Sequence, residues 1–215
     1  MMKRTRLPED PVKKARMQAA ALALFASAGY QATKVDAIAA KAQVSKGLIF
    51  KYFGNKEQLY LATLRQAYDR LMAIMDETVW QESDDLVAMV TNATRYKISL
   101  QLQYPQEFQL LLNGFIHLKQ LPASGRQYVE QMMVANQDLT QRLVLPVFAK
   151  MTFKPGITAT DALTVLNYVT SGYLEKFQQY LLSHPEVTTV AEMEPLLADL
   201  TRYLRIVEYG FVAPD

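Results

Sequence analysis

The chain has 215 residues, half of them apolar and a fifth charged, with no cysteine and only two histidines, His117 and His184. These values indicate a folded protein with a sizeable core, exclude disulfides and thiolate metal sites, and argue against a metal or other cofactor. No stretch approaches 18 uninterrupted apolar residues and the basic start lacks the apolar run of a signal peptide, so we expect a cytoplasmic protein without a membrane partner.

Charge is distributed unevenly along the chain. Residues 1–56 carry eleven Lys and Arg against three Asp and Glu, whereas residues 57–215 carry twelve against eighteen. A basic N-terminal quarter on an acidic remainder favours a polyanionic partner such as nucleic acid. The alternative interpretation is a basic surface that is merely solvated.

The first two helices have recognisable boundaries in the sequence. Asp10 followed by Pro11 predicts the cap and first residue of a helix that ends near Gly29. Thr33 is expected to cap a short second helix, with Asp36 at the capping-box position three residues later.

A third helix follows after only a few residues. Gln43 and Val44 form the break, and Ser45 is expected to cap a helix over about residues 46–52. Asn55 is then expected to cap a fourth helix. The sequence therefore predicts two short helices joined by a tight turn.

From residue 56 onward, apolar residues recur at helical spacing and no segment alternates as a strand does. The predicted helices are 56–80, 83–103, 105–118, 124–151, 159–183 and 189–209. The predicted fold class is all-α with about nine helices. They form a three-helix N-terminal domain, residues 1–55, and a helical C-terminal domain, residues 56–215.

Residues 34–53 have the pattern of a helix-turn-helix motif, whose second helix packs one face on the core and leaves the other free. Ile49 is expected to face the core. The opposite side and the helix start carry Lys46, Gly47, Leu48 and Lys51. The helix N-terminus suits phosphate or base acceptors, Gly47 permits close approach, and the lysines can donate to guanine or phosphate. Each residue alone has an ordinary structural explanation; together, in a basic segment, they favour nucleic-acid binding.

The segment GYQATKVDAIAAKAQVSKGLIFKYFGNKEQLY, residues 29–60, resembles the DNA-binding domain of the TetR family of transcriptional regulators. The resemblance covers roughly residues 11–71 and rests on positions that agree at fixed spacing. These positions are Gly29, Tyr30, Thr33, Ile38, Ala39, Val44, Ser45, Gly47, Tyr52, Phe53, Lys56 and Glu57.

The resemblance implies roles for individual residues. Phosphate contacts are implied for Thr33, Ser45, Tyr52 and Lys56. Base contacts are implied for Lys46 and Gly47. The sequence departs from the family pattern at three positions: Phe50 replaces a common Tyr, Lys34 replaces a frequent Thr and is expected to add a phosphate contact, and Gln43 stands where Gly is common.

The resemblance also implies a homodimer, because a two-fold pair of helix-turn-helix domains reads a palindromic operator. Two apolar stripes near the end of the chain are candidates for a four-helix interface. The candidate interface residues are Leu166, Tyr173, Phe177, Leu196, Leu200, Tyr203 and Leu204. The alternative interpretation is that they form core within one chain.

The middle helices, about residues 83–151, are expected to enclose a pocket for a small-molecule effector. The candidates combine aromatic surface with a few polar tips, as pockets often do. They are Tyr96, Phe108, Phe115, His117, Met132, Asn136 and Tyr168. For each of them the alternative is an ordinary core or surface position.

The sequence therefore predicts a dimeric, sequence-specific DNA-binding transcriptional regulator that is not an enzyme. Repression of a palindromic operator, released by a small-molecule ligand, is the mode that the resemblance implies. The sequence has no nucleophile–base constellation and no phosphate-binding loop. The alternatives are a helical protein-interaction module with an idle basic face, or an enzyme that does not bind DNA.

Overall fold

A computed structural model describes residues 10–81 and 85–209 of the chain. Within these ranges all regular secondary structure is helical, which confirms the predicted all-α class. The α-helices are α1 (Pro11–Ala32), α2 (Val35–Ala42), α3 (Lys46–Phe53), α4 (Lys56–Ile74), α5 (Thr78–Gln81), α6 (Leu86–Gln103), α7 (Pro105–Ile116), α8 (Ala123–Phe148), α9 (Ala159–Ser183) and α10 (Glu194–Tyr209). Short 3₁₀ helices lie at Leu118–Gln120 and Val190–Met193.

Helix α1 begins where the sequence predicts. Asp10 Oδ1 accepts hydrogen bonds from the backbone N–H groups of Val12, at 3.0 Å, and Lys13, at 3.1 Å. Pro11 occupies the first helical position, where no intrahelical N–H is needed. Gly29, with φ 71° and ψ 177°, interrupts the helical geometry near the predicted end of the helix. Glycine adopts this positive φ without the steric penalty of a Cβ atom.

The single helix predicted over residues 56–80 is wrong, because the chain breaks after Ile74 and restarts as α5. Asp76 Oδ1 accepts hydrogen bonds from both the N–H and the hydroxyl of Thr78, at 3.0 and 2.7 Å. This local cap starts the extra helix. The predicted start of the following helix at residue 83 lies outside the described residues, and α6 begins at Leu86.

The first compact unit comprises residues 10–75 and 104–135 of the described chain. Helix α1 packs on α2, α4 and α7, and α4 also packs on α3 and α7. Its core includes the buried side chains of Met17, Phe25, Ile38, Ile49, Leu59 and Leu64. The predicted division at residue 55 does not coincide with the edge of this unit, because α4 shares a core with the helices that precede it.

The second compact unit comprises residues 76–103 and 136–209 of the described chain. Helix α6 packs on α5 and α10, and α10 packs on α9. Ion pairs join Arg95 to Glu194 and Arg205 to Asp85, at 3.0 and 2.7 Å. Its buried residues include Trp80, Met89, Phe177, Met193, Leu197 and Leu200.

No helix in the described ranges is long and apolar enough to cross a membrane. The same ranges contain no group of three or more His, Cys, Asp or Glu residues arranged to hold a metal ion. Both statements apply to residues 10–81 and 85–209.

Candidate nucleic-acid interface

The turn between α2 and α3 is three residues long, as the sequence predicts. Gln43 adopts a left-handed conformation with φ 55°, and its N–H bonds back to the carbonyls of Ala39 and Ala40. Ser45 Oγ accepts a hydrogen bond from the N–H of Leu48, at 3.2 Å, which confirms Ser45 as the cap of α3. Helix α3 can therefore begin immediately after the turn.

Helix α3 buries one face and exposes the other. Ile49 is fully buried in the core of the first unit, where Ile38 of α2 also lies. Lys46, Gly47, Phe50 and Lys51 are exposed. We call these four residues the outer face of α3; Leu48, at its edge, is half-buried. Sequence periodicity therefore assigned Ile49, Gly47 and Lys51 to the correct sides, whereas Leu48, predicted on the free side, lies between them.

Gly47 has no intramolecular reason to be glycine. A Cβ atom added at this position would meet no other atom within 4 Å. Gly47 does not have a positive φ, unlike Gly29, Gly54 and Gly156. Glycine inside a helix costs about 1 kcal/mol relative to alanine. The empty space at Gly47 therefore suits a partner that approaches the outer face of α3 closely.

The ammonium of Lys46 is held by residues on both sides of the turn. Lys46 Nζ donates a hydrogen bond to Asp36 Oδ2 of α2 at 2.9 Å, and it lies 5.9 Å from the ring centroid of Phe50. The hydrogen bond from Lys46 is the main reason that the pKa of the Asp36 carboxyl lies below its ordinary value. Sequence reasoning did not find this role of Asp36, because nothing in the sequence marks a pair ten residues apart across a turn.

Lys34, Ser45 and Lys51 present further polar groups to solvent. All three side chains are exposed. In the described part of the chain, neither lysine has a carboxylate within 4.0 Å. Their charges are therefore available to phosphate groups, as the hydroxyl proton of Ser45 also is.

Tyr52 joins α3 to the start of α1. Its hydroxyl accepts a hydrogen bond from the backbone N–H of Asp10 at 2.7 Å, and the side chain is half-buried. A phenol oxygen that accepts one bond still has its own proton to donate. The implied phosphate contact of Tyr52 is therefore compatible with this geometry.

Lys56, the first residue of α4, is only partly free. Its Nζ donates to the carbonyl of Gln31 at 3.2 Å and lies 4.5 Å from the ring centroid of Tyr30. Burial lowers the pKa of this half-buried lysine. Lys56 therefore brings a positive charge to the end of α1 as well as to the start of α4.

The structure corrects two expectations for Thr33. This residue is 4% exposed, and its hydroxyl donates to the carbonyls of Leu24, at 3.0 Å, and Gly29, at 2.7 Å. The hydroxyl is therefore used inside the protein and is not presented to a phosphate. The residue at the cap position of α2 is Lys34, which makes no side-chain capping bond. Helix α2 is held by its packing on α1 and α3 instead.

The predicted pocket residues do not come together within either compact unit. Phe108, Phe115, His117 and Met132 belong to the first unit, where Met132 is buried in the core and both phenylalanines pack against it. Tyr96, Asn136 and Tyr168 belong to the second unit. Tyr168 is 76% exposed on α9, and the Tyr96 hydroxyl accepts a hydrogen bond from the N–H of Asp76 at 2.8 Å.

One predicted pocket residue, His117, lines a cavity of about 290 Å³ in the first unit. The cavity lies against the end of α1 and the end of α7. Its lining includes Ser27, Tyr30, Gln31, Tyr60, Asn113 and Gln120. The Asn113 amide donates to the carbonyl of Ala26 at 2.7 Å, so this polar lining is part of the contact between α1 and α7.

Most of the predicted dimer residues are buried inside the chain itself. The buried residues are Leu166, Tyr173, Phe177, Leu200 and Leu204. They pack within the second unit, and the Tyr173 hydroxyl donates to the carbonyl of Leu196 at 2.9 Å. Tyr203 is 40% exposed and Leu196 is half-buried. The apolar stripe seen in the sequence is therefore chiefly intramolecular core.

The chain matches the family model described as "Bacterial regulatory proteins, tetR family" over residues 19–63. The HTH-type transcriptional regulator RutR of Escherichia coli strain K12 is 35% identical over 98 residues, which are 46% of this chain and 45% of RutR. The HTH-type transcriptional activator FasR of Mycolicibacterium smegmatis is 34% identical over 80 residues, 37% of this chain and 36% of FasR. The chain thus spans less than half the length of either relative. Both are described as regulators and neither as an enzyme, in agreement with the sequence-based prediction.

The fold has a counterpart among solved structures. The transcriptional regulator FadR from Bacillus subtilis, in complex with stearoyl-CoA, matches with a TM-score of 0.63. The match covers 93% of this chain and 100% of the FadR chain at 18% identity, so it supports the fold alone. Residues 19–63 thus match the TetR family of bacterial regulatory proteins, and the described chain has the fold of solved transcriptional regulators.

Proposed function

We propose that this protein is a sequence-specific transcriptional regulator that binds double-stranded DNA as a homodimer. The observation that carries the proposal is the outer face of α3. It combines exposed Lys46 and Lys51 with empty space at Gly47, within a strongly basic N-terminal domain. A helix of this kind fits the major groove, where lysine can donate to guanine acceptors and flanking cations bind phosphates.

Selection of bound duplexes from a random pool, at about 0.15 M salt, tests this function directly. At this ionic strength surface charges are well screened, so sequence-specific contacts decide which duplexes are retained. An enriched palindrome with half-sites one helical turn or more apart is the expected result. If no duplex is enriched and binding disappears as salt rises, the basic domain binds polyanions without sequence preference.

The proposed dimer uses exposed surface of α9 and α10. Eight of the fifteen large apolar side chains that are exposed in the described residues lie on these two helices. They include Tyr168, Leu182, Tyr203 and Val207. Such a concentration of exposed apolar surface is typical of an interface, and a second copy of the chain supplies the two-fold symmetry of a palindrome.

Analytical ultracentrifugation of two single variants tests the dimer. Tyr168→Asp introduces a charge into the proposed interface and is expected to raise the dimer dissociation constant at least tenfold. Ile116→Asp, on α7, introduces the same charge at a side chain that is 64% exposed and is the matched control. A monomeric wild-type protein, or equal behaviour of the two variants, contradicts the proposed interface.

The small-molecule effector is proposed to be anionic, on the basis of Lys97. The Lys97 side chain is exposed, and desolvation by neighbouring protein atoms lowers the pKa of its ammonium. The ammonium lies 5.9 Å from the ring centroid of the buried Trp80. In the described residues no carboxylate lies within 4.0 Å of it. A cation that lies beside a buried aromatic ring and has no carboxylate partner favours an anionic ligand, which would supply the counter-charge.

Release of the selected duplex by stearoyl-CoA, with octadecanol as the uncharged probe, tests the effector class. We expect the anionic probe to release DNA and the alcohol to fail. Lys97→Gln should raise the stearoyl-CoA concentration needed by about tenfold, the loss of a charge-assisted hydrogen bond. Lys154→Gln, a change at an exposed lysine outside the N-terminal domain, should leave it unaltered. Equal potency of the two probes would contradict an anionic effector.

Repression in the cytoplasm is the proposed mode, because a dimer seated on an operator excludes other proteins from that DNA. The expected result is low expression of a reporter carrying the selected palindrome in its promoter, and higher expression when this protein is absent. Expression that rises only when the protein is present would identify an activator instead.

A further inference from the structure

The cavity of about 290 Å³ in the first unit has a polar but uncharged lining. Its described lining residues include no Asp, Glu, Lys or Arg, and three of them carry a ring with a polar atom: Tyr30, Tyr60 and His117. A cavity of about 150 Å³ holds a benzene molecule, so this one has room for a substituted ring. Its size and lining therefore favour an uncharged aromatic compound over an ion.

The hydroxyl of Tyr60 has no hydrogen-bond partner among the described residues. The residue is only 1% exposed, and burial raises the pKa of its phenol. Every fully buried polar side-chain atom in the described ranges has a partner, so the small surface that Tyr60 retains includes its oxygen. Because Tyr60 lines the cavity, this oxygen opens onto it. A buried hydroxyl without a partner is unfavourable, and an acceptor on a ligand would satisfy it.

The ring of Tyr60 is held in place by its neighbours. It packs edge-on against Phe25, with ring centroids 4.9 Å apart, and its centroid lies 5.0 Å from that of Tyr30. On the side of α8, a Cβ atom added at Gly125 would lie 3.4 Å from two of its ring carbons. The hydroxyl is therefore presented from a fixed ring, which spares a ligand the entropy cost of ordering it.

Two amide side chains of the lining are already used inside the protein. Gln31 Nε2 donates to the carbonyl of Gln120 at 2.8 Å, and Asn113 Nδ2 donates to the carbonyl of Ala26 at 2.7 Å. These bonds join helices of the first unit. Tyr60 is the buried residue of the described lining that keeps a hydroxyl for a ligand.

We propose that this cavity binds a small uncharged aromatic compound whose oxygen or nitrogen acceptor takes a hydrogen bond from the Tyr60 hydroxyl. The rings of Tyr30 and Tyr60 favour an aromatic ligand, and the hydroxyl selects an acceptor on it. All residues of the site belong to the first unit, whereas Lys97, on which the anionic effector was proposed, belongs to the second. The site is therefore an addition to the proposed function.

Nuclear magnetic resonance of the full chain, with isotope-labelled tyrosine rings and without DNA, tests the site with benzamide as the probe. A compound of this size is expected to bind with a Kd of about 1 mM. The ring signals of Tyr30 and Tyr60 should shift saturably as benzamide is added. The signals of Tyr168, in the second unit, should stay unchanged.

Tyr60→Phe removes the hydroxyl and keeps the ring. It should raise the Kd of benzamide roughly fivefold, the loss of one neutral hydrogen bond. Its melting temperature should not fall, because the hydroxyl has no partner among the described residues. Tyr128→Phe makes the same change at a half-buried tyrosine of the first unit outside the lining, and this matched control should keep the wild-type Kd.

Two further compounds test the ligand chemistry. Toluene keeps the ring but has no acceptor, so its affinity should be the same for the wild type and Tyr60→Phe. Benzoate brings a negative charge, for which the described lining supplies no cation, and should bind at least tenfold more weakly than benzamide.

Each of four results would overturn the proposal. Absence of saturable shifts would mean that the cavity holds water only. An equal loss of benzamide affinity in Tyr128→Phe, or a lower melting temperature of Tyr60→Phe, would remove the assigned role of the Tyr60 hydroxyl. Benzoate that binds as tightly as benzamide would contradict an uncharged ligand. All of these measurements are made without DNA, so failure of the site and failure of the proposed function are distinguishable.

Discussion

Lys46 Nζ and Asp36 Oδ2 lie 2.9 Å apart across the turn that joins α2 to α3. Both side chains are exposed, so the pair contributes little to the stability of the fold. Its consequence is positional: the ammonium is held at the start of the outer face of α3 before DNA arrives. A base acceptor that replaces Asp36 as the partner of Lys46 must compete with this bond.

Replacing Lys46 with alanine is expected to weaken operator binding more than binding to random duplexes. A lost base contact costs about 1–3 kcal/mol, or roughly 5- to 150-fold, and relaxes the choice of base at that position. Lys34→Ala serves as the control. The loss of a phosphate contact weakens binding to all duplexes alike and makes the slope of log K against log salt shallower by about 0.9. If Lys46→Ala loses the same affinity for operator and for random DNA, Lys46 does not take part in base recognition.

Asp36→Asn should raise affinity for random duplexes and lower the ratio of specific to nonspecific binding. The change removes a negative charge from the surface that we propose faces DNA and releases Lys46 from its fixed position. Anisotropy measurements on both kinds of duplex provide the readout. An unchanged ratio would mean that Asp36 has no part in specificity.

The pKa of Asp36 reports the same pair in solution. A carboxyl whose folded pKa is lowered contributes stability above its unfolded pKa, near 3.9, and loses it as pH falls through the folded value. Lys46→Ala should therefore bring the Asp36 pKa back toward its ordinary value in an NMR titration. A pKa that does not move would show that the bond is absent in solution.

Gly47→Ala is expected to act in opposite directions on folding and on DNA binding. The added Cβ meets nothing within 4 Å, so the unfolding free energy should rise by about 0.5–1 kcal/mol through helix propensity. Operator affinity should fall, because the methyl group occupies space that DNA needs. Gly54→Ala is the contrasting control: Gly54 has φ 83°, and alanine there should lower stability. Unchanged affinity in Gly47→Ala would mean that DNA does not approach this point.

Gln43→Gly tests the turn itself. Gln43 adopts φ 55°, which costs an ordinary residue about 1 kcal/mol and costs glycine little. Its contact with Arg16 is long, 3.5 Å, and exposed, so little is lost on substitution. We expect a higher melting temperature with the operator sequence preference retained, measured by thermal unfolding and duplex selection. A lower melting temperature would show that the Gln43 side chain matters more than its backbone strain.

The helix boundaries that depend on residues close in sequence could be predicted. Asp10, Ser45 and Asn55 each cap a helix through a backbone N–H two or three residues later. Such bonds need only a local turn of the chain, so residue type and spacing suffice to identify them. The exposed side of α3 followed from the same short-range regularity, because helical periodicity alone separates Ile49 from Gly47 and Lys51.

Contacts between distant residues could not be read in this way. Thr33 has the spacing of a cap, yet the carbonyls of Leu24 and Gly29 capture its hydroxyl. The sequence was enough to predict Lys46 as a DNA contact but not to identify its partner Asp36, since two helices must first be brought together around the turn.

The sequence by itself determined the all-α class, the helix-turn-helix and its outward residues, because these follow from local spacing. Only the tertiary structure decided which apolar side chains of these stripes are core of the chain and which stay exposed. Phe177 and Leu200 are buried within the second unit, whereas Tyr168 on α9 stays exposed. The hydrophobic effect has no direction, so a stripe identifies a face that will be covered without identifying what covers it.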